Sequence, residues 1–361
     1  MKIESLQIEN FRIISQASLE LSPAWNIVYG KNAQGKSSLL ESLYYLAFAK
    51  SFKNARDEQL IRFKKSYLKI KGTVFSSDSK LQLEILANNK GKLCKYNGNR
   101  VDRITDYIGR LKVVLYSPDE ISIVQGTPSS RRQFIDALFS QLDENYLEAW
   151  QKYRHSVDEK NRVLKEFREH DDHHLVSVYQ EEFYQSLIRL YALRLPYIEE
   201  FLPLISRQYE ALFGTKEKIS YRYVLKGLSE SFDPGNVRDI GSRFLEKEKE
   251  QGVTLWGPHL DDILFYLNEK PVRFYGSQGQ LKALVLAMKM ACIEYIQHKT
   301  GHLPLFLIDD FSSELDSERL GSFLSALPHD MQVVLTTTGM NDTLREKGRI
   351  FLVKDGNFIQ E

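Results

Sequence analysis

The first hundred residues alternate apolar and polar positions in short runs. This period of two is typical of β-strands that bury one face. It recurs in four segments, residues 3–8, 17–21, 67–75 and 81–86. Asn97-Gly98 is a strong signal for a two-residue hairpin turn, and residues 111–116 form a further apolar strand. The pattern therefore predicts a β-rich N-terminal lobe.

From about residue 129 the apolar positions recur every three to four residues instead. Residues 129–168 and 175–213 are long, charge-rich and helical in pattern, and the polar segment 170–174 separates them. Two long helices joined by a short link predict an antiparallel hairpin inserted into the chain. The link holds three histidines and two aspartates, but no distant Cys or His pair at fixed spacing completes a zinc site. We therefore interpret it as a solvated turn.

The last hundred residues return to short apolar strands that alternate with helices. Residues 304–308 form an apolar run that ends in Asp309-Asp310, and residues 332–335 form another that ends in three threonines. Buried parallel strands present ligand-binding groups at their carboxyl ends. We therefore predict an α/β fold whose sheet edge carries carboxylates and hydroxyls.

Composition sets the class of protein. With 361 residues, 42% of them hydrophobic and 12% aromatic, the chain can bury a sizeable core and is expected to divide into two or three domains. It has no basic-then-apolar leader and no run of about 18 apolar residues, so we expect no membrane segment. Cys94 and Cys292 lie far apart without metal-ligand spacing, which fits a cytoplasmic protein.

Residues 30–37 carry the clearest chemical motif. They read Gly-Lys-Asn-Ala-Gln-Gly-Lys-Ser, between an apolar run at 25–29 and a helical pattern from Lys36 onward. This is the phosphate-loop pattern in its strand–loop–helix context, where glycines let backbone N–H groups converge on an anion at a helix N-terminus. Lys36 would reach the β- and γ-phosphates of ATP, and Ser37 would hold Mg²⁺. The predicted nucleotide-binding residues are Gly30, Lys31, Asn32, Ala33, Gln34, Gly35, Lys36, Ser37 and Ser38.

The paired aspartates supply what a phosphate loop needs for hydrolysis. One carboxylate can orient Mg²⁺ through water, and a second can polarise the attacking water in line with the γ-phosphate. We assign the first role to Asp309 and the second to Asp310, so the predicted catalytic residues are Asp310 and Lys36. The threonines at 336–338 are candidates for sensing the γ-phosphate.

A second anion-binding helix end lies further along the chain. Ser277, Gln278, Gly279 and Gln280 precede a helix with a continuous apolar stripe, so their backbone N–H groups and the serine hydroxyl would face an anion. One ATP does not need two such helix ends. We therefore expect residues 277–280 to complete the site of another copy, which makes the chain a homodimer when ATP binds.

The charge distribution suggests a polyanion surface. Net charge is only +1, but residues 50–112 carry 16 Lys or Arg against six Asp or Glu. A patch of one sign suits DNA, although its spacing specifies no groove or base. Within it the candidate DNA-binding residues are Arg62, Lys64 and Lys65.

These motifs carry a family resemblance. The phosphate loop, residues 277–280, Asp309-Asp310 and the segment from Ser313 to Asp316 resemble the Walker A, signature, Walker B and D-loop motifs of ABC-type ATPase heads. More narrowly, residues 1–136 and 252–361 resemble the RecF family of bacterial recombination mediators. The added matches are Asn10-Phe11-Arg12, Gly126-Thr127-Pro128 with Arg131-Arg132, and Gly257-Pro258-His259 with Asp261-Asp262. The sequence departs from the family pattern at Lys31, Leu260 and Leu281-Lys282.

The resemblance implies a fold and a function. The fold is an ABC-type ATPase head, a mixed sheet with a Walker A phosphate loop, interrupted by an α-helical arm; the expected domains are 1–128 (head), 129–250 (arm) and 251–361 (head). The implied cofactors are ATP and Mg²⁺, with weak DNA-stimulated ATPase activity. The implied partners are double-stranded and gapped DNA, a second copy, RecO and RecR, with RecA reached indirectly. The implied processes are replication, DNA repair and the SOS response.

Two other function classes share parts of this motif set. The ATPase subunit of an ABC transporter has Walker A and B motifs, but usually a histidine where residues 336–338 stand. A phosphate-loop kinase or GTPase needs no signature helix, and the N-K-x-D base-reading motif of GTPases does not occur in the sequence. A binding module without catalysis has no use for paired carboxylates beside a phosphate loop.

Overall fold

The computed structural model describes residues 1–76, 79–170, 172–228, 231–310, 323–340 and 342–361. The chain forms two compact units. Unit 1 comprises Met1–Glu120, Ala211–Phe213 and Lys282–Glu361, and unit 2 comprises Ile121–Glu210 and Gly214–Leu281. Unit 2 therefore extends beyond residues 129–250, which the sequence assigned to the arm. Its later strands pack against its earlier helices, which joins these segments into one core.

Fifteen strands occur in the described part of the chain. They are β1 Lys2–Phe11, β2 Ile14–Glu20, β3 Trp25–Tyr29, β4 Tyr67–Ser76, β5 Ser79–Asn88, β6 Gly91–Tyr96, β7 Asn99–Arg100, β8 Val113–Tyr116, β9 Ile219–Val224, β10 Asp262–Leu267, β11 Lys270–Pro271, β12 Leu305–Ile308, β13 Val333–Thr337, β14 Gly348–Lys354 and β15 Asn357–Gln360.

The α-helices assigned full bounds within the same ranges number ten. They are α1 Lys36–Phe48, α2 Asp57–Leu60, α3 Ile121–Gln125, α4 Pro128–Leu142, α5 Glu144–His170, α6 His173–Phe213, α7 Val237–Gln251, α8 Val272–Tyr275, α9 Gln278–Thr300 and α10 Asp342–Arg345. The long helix α9 begins in unit 2 and continues into unit 1.

The main sheet of unit 1 has the strand order β15-β14-β3-β13-β12-β8. All neighbours from β14 to β8 are parallel, and β15 closes the edge as an antiparallel hairpin with β14. Strand β12 is buried along its whole length, as its unbroken apolar run predicts. The polar Asn26 is tolerated in β3 because its side-chain oxygen accepts from the Ser22 N–H at 2.7 Å and its amide donates to the Ser22 carbonyl at 2.9 Å.

The second sheet of unit 1 is the β-rich lobe that the alternating pattern predicts. Its order is β2-β1-β4-β5-β6-β7, and every pairing is antiparallel. Along β4 every second residue from Leu68 to Val74 is buried, so one face packs on the core. Asn97 and Gly98 have φ angles of 50° and 82°, the left-handed pair that a type I′ hairpin turn requires.

Unit 2 contains the helical hairpin. The hydroxyls of Ser156 on α5 and Ser186 on α6 are 2.6 Å apart, and Arg189 on α6 donates to Glu148 on α5 at 3.3 Å, so the two helices run antiparallel. The predicted helix at 129–168 is, however, two helices. Asp143 separates them because it is extended at φ −137°, and its carboxylate accepts from the Asn145 N–H at 2.8 Å as the cap of the second helix.

A buried polar network ties the base of this hairpin together. Asp261 accepts hydrogen bonds from the hydroxyls of Tyr191 at 3.1 Å and Tyr223 at 2.8 Å. Arg131, which is 3% exposed, donates to both carboxylate oxygens of Asp262 at 2.6 and 3.0 Å. The family-like residues at 131–132 and 257–262 thus hold unit 2 together, since burial of such charges requires pairing.

Candidate nucleotide site

The loop at residues 30–35 connects the central strand β3 to helix α1 in unit 1. Gly30 and Gly35 have φ angles of 156° and 110°, and the second of these favours glycine. A Cβ at Gly30 would lie 2.5 Å from the Val353 carbonyl oxygen, and one at Gly35 would lie 3.1 Å from Cγ2 of Ile13. Both glycines are therefore needed for close packing of the loop against neighbouring backbone and side chains.

Lys36 folds back over this loop. Its Nζ donates to the carbonyl oxygens of Gly30 at 2.7 Å and Lys31 at 2.9 Å, and the residue is 7% exposed. Burial lowers the pKa of Lys36, while the nearby carboxylates of Asp310 and Asp309 oppose that shift. The ammonium group is thus held at the mouth of the loop, where a phosphate would compete for it.

The carboxylates at the end of β12 are organised by the neighbouring strand β13. Asp309 Oδ1 accepts from Ser37 Oγ at 2.9 Å and from Thr336 Oγ1 at 2.8 Å. The Asp310 N–H donates to the same Thr336 oxygen at 2.9 Å, and Asp310 has φ 48°. One buried threonine therefore fixes both aspartates, and since Thr336 also lines the cleft, its proposed sensing of the γ-phosphate stays a prediction.

The donors fit a magnesium ion. Mg²⁺ is usually held by one or two carboxylates together with substrate phosphates and waters. The Ser37 hydroxyl and the Asp309 carboxylate are hard oxygen ligands 2.9 Å apart, beside the loop where phosphates would lie. They are the residues that would hold the ion when it binds with nucleotide.

A second wall faces the phosphate loop. Arg12, at φ 52° after β1, makes a bidentate ion pair with Glu41 of α1 through bonds of 2.9 and 2.8 Å, and donates to the Gln59 carbonyl at 3.1 Å. Glu41 is 2% exposed, so this pair is shielded from solvent on one side. Arg62 donates to the Ile13 carbonyl at 2.6 Å. These bonds attach the segment after α1 to the turn between β1 and β2.

The phosphate loop with the two strand ends forms one wall, and the segments joined by Arg12 and Arg62 form the other. Between them lies a cleft of about 610 Å³ in unit 1. The cleft is lined by residues of the loop, of the second wall and of the two strand ends: Arg12, Ile13, Asn32, Ala33, Gly35, Lys36, Ser37, Ser38, Lys53, Glu58, Gln59, Ile61, Phe63, Asp309, Asp310 and Thr336. The sequence predicted the loop and the strand ends. It missed the apolar wall of Ile13, Ile61 and Phe63, for which the only local signal was an aromatic residue, Phe63, within a basic segment.

The C-terminal hairpin supports the loop from behind. The N–H groups of Asp355 and Gly356, in the turn between β14 and β15, donate to the Gln34 side-chain oxygen at 2.7 Å and to its carbonyl at 2.9 Å. This turn has φ angles of 50° and 77°, again a left-handed pair. Gln34, which the sequence assigned to nucleotide binding, is thus engaged with the protein on both of these oxygens.

The signature segment lies in unit 2 at the start of α9. The Ser277 N–H donates to the Gln280 side chain at 2.8 Å, and the Gln280 N–H donates to Ser277 Oγ at 3.2 Å, which is a reciprocal capping box. Gln280 also donates to Glu217 at 2.6 Å. Ser277 and Gln278 are exposed, whereas the N–H groups of Ser277 and Gln280 are already paired within the capping box. The D-loop candidates Ser313 and Asp316 lie outside the described residues.

The basic segment proves to be two kinds of surface. On the sheet, Lys69 stands opposite Glu9, and Lys71 stands opposite Glu84. After α2, Lys64 packs its Nζ 5.6 Å from the ring centre of Phe63, and no carboxylate among the described residues forms an ion pair with Lys64 or Lys65. Lys64 and Lys65 thus follow directly on Phe63, a residue of the cleft lining, and carry charge that no described ion pair neutralises.

Comparison with known proteins extends these observations. The family model for the RecF/RecN/SMC N terminal domain matches residues 2–356. "DNA replication and repair protein RecF" of Staphylococcus carnosus is 35% identical over 371 residues and 100% of both chains. The RecF of Ligilactobacillus salivarius is 34% identical over 373 residues, covering 100% of this chain and 98% of that one. The chain belongs to the RecF family.

A solved RecF-family structure agrees with the fold over the full length. The recombination mediator protein RecF-ATP of the RecFOR pathway has a TM-score of 0.93 and 28% identity, covering 100% of this chain and 97% of that one. The predicted class, an ATPase head with a helical arm, is therefore confirmed. Full-length identity to DNA replication and repair proteins places the chain in that process and does not favour the transporter or kinase alternatives. None of the described helices has the length and hydropathy needed to cross a membrane.

Proposed function

We propose that this RecF-family chain is an ATP-dependent recombination mediator that binds ATP in the cleft of unit 1 and hydrolyses it slowly. The observation that carries the proposal is the convergence of Lys36, Ser37, Asp309 and Asp310 on one cleft behind a glycine-built loop. Phosphate binding needs convergent N–H donors and a cation, and hydrolysis needs a metal ligand and a group that polarises water. The cleft supplies each of these within one unit.

The two aspartates differ in a way that supports separate roles. Asp309 is 6% exposed, and one of its oxygens accepts hydrogen bonds from Ser37 and Thr336, which holds the carboxylate beside the Ser37 hydroxyl. Asp310 is turned by its left-handed backbone and also lines the cleft. We assign metal orientation to Asp309 and water polarisation to Asp310. Bound magnesium would supply charge neutralisation on the phosphates.

The assignment is tested by replacing each aspartate separately with asparagine. Asp310→Asn should lower the ATPase rate by about 10²-fold or more while ATP still binds, because the replacement keeps size and leaves Asp309 in place. Asp309→Asn should instead weaken magnesium-dependent ATP binding. ATP hydrolysis and equilibrium ATP binding are measured on both variants, with the exposed Asp102→Asn as control. A normal rate in Asp310→Asn together with an inactive Asp309→Asn would reverse the two roles.

We propose further that DNA binds to the cations beside the cleft. Lys64 and Lys65 lie on a loop and form no ion pair in the described chain. The register of the sheet places Glu9 beside Lys69 and Glu84 beside Lys71, although Glu84 forms its ion pair with Lys95. Duplex and gapped DNA are the expected ligands, with stimulation of ATP hydrolysis as the functional result. A comparison of ATPase rates without DNA and with gapped, double-stranded or single-stranded DNA tests that stimulation. Equal rates in all four conditions would contradict it.

The DNA surface itself is tested by matched pairs of neutral substitutions. Replacing Lys64 and Lys65 with glutamine should weaken duplex binding and reduce the magnitude of the salt slope, by roughly 0.9 for each DNA phosphate that the protein no longer neutralises. Replacing Lys69 and Lys71 with glutamine removes the same charge and should change the slope less, because these lysines face carboxylates. Duplex affinity is measured as a function of salt concentration. Equal slopes for the two double variants would place the DNA surface elsewhere.

The remaining part of the proposal concerns assembly. The helix N-terminus at Ser277 and the cleft of unit 1 are two candidate anion sites in one chain, and ATP held between two copies would use both. We propose an ATP-dependent homodimer on that basis. The related mediator works in the RecFOR pathway, and for this chain we propose the same pathway, with RecO and RecR as partners and RecA reached indirectly.

A further inference from the structure

Three aromatic side chains are the most exposed large apolar residues of the described chain. Among the described residues, Phe63 is 84% exposed, Phe274 75% and Tyr275 69%, and no other large apolar side chain exceeds 53%. Phe63 lines the cleft, whereas Phe274 and Tyr275 lie three and two residues before Ser277, respectively. Exposed aromatic side chains in a group indicate an interaction site. Here they mark the two places in the chain that the proposed ATP bridge would bring together.

The cleft contributes an apolar rim. Ile13, which is 39% exposed, lines the cleft together with Phe63. A nucleobase stacks on one face of an aromatic ring, so a base in the cleft would still leave the other face of Phe63 open. Ile13 is fixed through its carbonyl, which accepts from Arg62 at 2.6 Å. The rim therefore offers exposed apolar surface on a backbone that is fixed at Ile13.

The signature side contributes a rigid aromatic segment. Val272, at 1% exposure, anchors α8, and the Gly276 N–H donates to the Val272 carbonyl at 2.9 Å. A Cβ at Gly276 would lie 2.8 Å from that same oxygen, so the turn into Ser277 is tight. The guanidinium carbon of Arg273 lies 5.5 Å from the ring centre of Phe274. Because the segment is held at both ends, binding would cost it little conformational entropy.

We propose that Phe274 and Tyr275 of one copy pack on Phe63 and Ile13 at the cleft rim of a second copy, and so close the nucleobase side of bound ATP. The inference rests on the proposed ATP-dependent dimer. If Ser277 reaches the phosphates held by Lys36 and Ser37 of the other copy, Phe274 lies within about 11 Å of Ser277, since each residue spans at most about 3.6 Å. Arg and aromatic side chains of this kind dominate the energy of many interfaces.

A double-mutant cycle tests this packing. The dimer dissociation constant is measured by sedimentation with a saturating non-hydrolysable ATP analogue. Phe63→Ala and the double variant Phe274→Ala/Tyr275→Ala should each weaken the dimer by about tenfold or more. Combining all three should cost clearly less than the product of the separate effects, because both sets of substitutions remove the same interaction. Phe75→Ala and Tyr67→Ala, exposed aromatics on the sheet outside the cleft, are the controls and should leave the dimer unchanged.

Cross-linking separates this inference from the dimer on which it rests. The native Cys94 and Cys292 are buried, so a chain with Phe63→Cys and a chain with Tyr275→Cys can be mixed and treated with a short thiol cross-linker. A cross-linked pair that needs both variants and the ATP analogue, and does not form with ADP, is the expected result. If the unsubstituted chain dimerises with the analogue but no cross-link forms and the cycle is additive, the aromatic packing is wrong. If the unsubstituted chain does not dimerise with the analogue, the proposed dimer is wrong, and the aromatic packing that depends on it is wrong as well.

Discussion

At the scale of single residues, Thr336 decides how the two aspartates of the cleft differ. Its hydroxyl donates to Asp309 at 2.8 Å and accepts from the Asp310 N–H at 2.9 Å, and the residue is fully buried. A hydroxyl that is engaged with both aspartates acts by positioning them. Catalytic groups that are misplaced by a fraction of an ångström lose much of their effect, so the hydroxyl should matter for rate.

Thr336→Val should therefore lower ATP turnover by about tenfold or more, with a smaller change in ATP affinity, because valine keeps the volume and removes both hydrogen bonds. Steady-state kinetics and nucleotide binding measure the two effects separately. Thr336→Ser should restore turnover, since it returns the hydroxyl. The control is Thr337→Val, a fully buried neighbour outside the cleft lining. An equal loss in both valine variants would show that the effect is general destabilisation of β13.

The lowered pKa of His259 makes the stability of unit 2 depend on pH. Its Nδ1 lies 2.6 Å from the Tyr153 hydroxyl, and burial, aided by the charges of Arg132, Lys160 and Arg154, lowers the pKa of His259 to about 4. An unfolded histidine titrates with a pKa of about 6.5, so the folded unit binds fewer protons between these two values. Stability from the neutral imidazole is thus fully present above about pH 6.5 and decreases as pH falls toward about 4.

We expect unit 2 to lose roughly 2 kcal/mol of unfolding free energy through His259 between about pH 8 and pH 5, by linkage from the two pKa values. Urea unfolding followed by tryptophan fluorescence measures it, since two of the three tryptophans, Trp150 and Trp256, lie in unit 2. His259→Gln should flatten the pH dependence by that amount. His155→Gln, an exposed histidine on α5, should not. A pH dependence that is the same in both variants would contradict the assignment.

At the scale of elements, local patterns predicted what local forces determine. Strand β3, the phosphate loop and the Asn97-Gly98 turn each depend on residues adjacent in sequence, and the structure shows each where the sequence placed it. The break at Asp143 was missed because both sides have helical periodicity. The capping bond from Asn145 decides the break, and aspartate followed by glutamate was the available signal.

Long-range packing accounts for what the sequence patterns could not show. The C-terminal hairpin holds Gln34 through a turn more than 320 residues away, and Arg12 reaches Glu41 across 29 residues. No periodicity within one segment predicts such an interaction. The basic segment shows the same limit, since a count of charges cannot reveal that register places Lys69 opposite Glu9. Lys64 and Lys65, which the sequence named as DNA candidates, lie outside this strand pairing and stay the candidates.

At the scale of the whole molecule, helix α9 is the element that both units share. Its first residues, with the signature, belong to unit 2, and from Lys282 it belongs to unit 1. Within unit 1, Lys289 of α9 forms a buried ion pair with Glu120. Burial raises the pKa of Glu120, and the positive charge of Lys289 opposes part of that shift. Removing one partner would leave a buried, unpaired charge, so both residues are needed for the packing of this part of α9 in unit 1.

The signature residues 277–280 lie at the start of α9. Their proposed role in binding the partner's ATP can be tested by a substitution at Ser277. Ser277→Arg places a bulky cation where we propose that the partner's γ-phosphate arrives. ATP binding to the monomer should stay nearly intact, because Ser277 does not line the cleft of unit 1. ATP-dependent dimerisation and hydrolysis should both be abolished. ADP lacks the γ-phosphate, so it should not support a dimer even in the unsubstituted chain.

Light scattering with ATP, with ADP and without nucleotide measures dimerisation. These measurements use the Asp310→Asn background, which limits ATP turnover. Ser242→Arg is the matched control, an exposed serine of unit 2 on α7, and it should dimerise with ATP as the parent does. Mixing the Ser277→Arg and Lys36→Ala variants makes the test stricter. In a head-to-tail pair of one copy of each, one ATP site carries both substitutions and the other carries neither. Each mixed pair should therefore have one competent site of its two, whereas a pair of identical variants should have none. A dimer that forms equally in all nucleotide conditions, or that survives Ser277→Arg, would show that ATP does not bridge two copies through the signature helix.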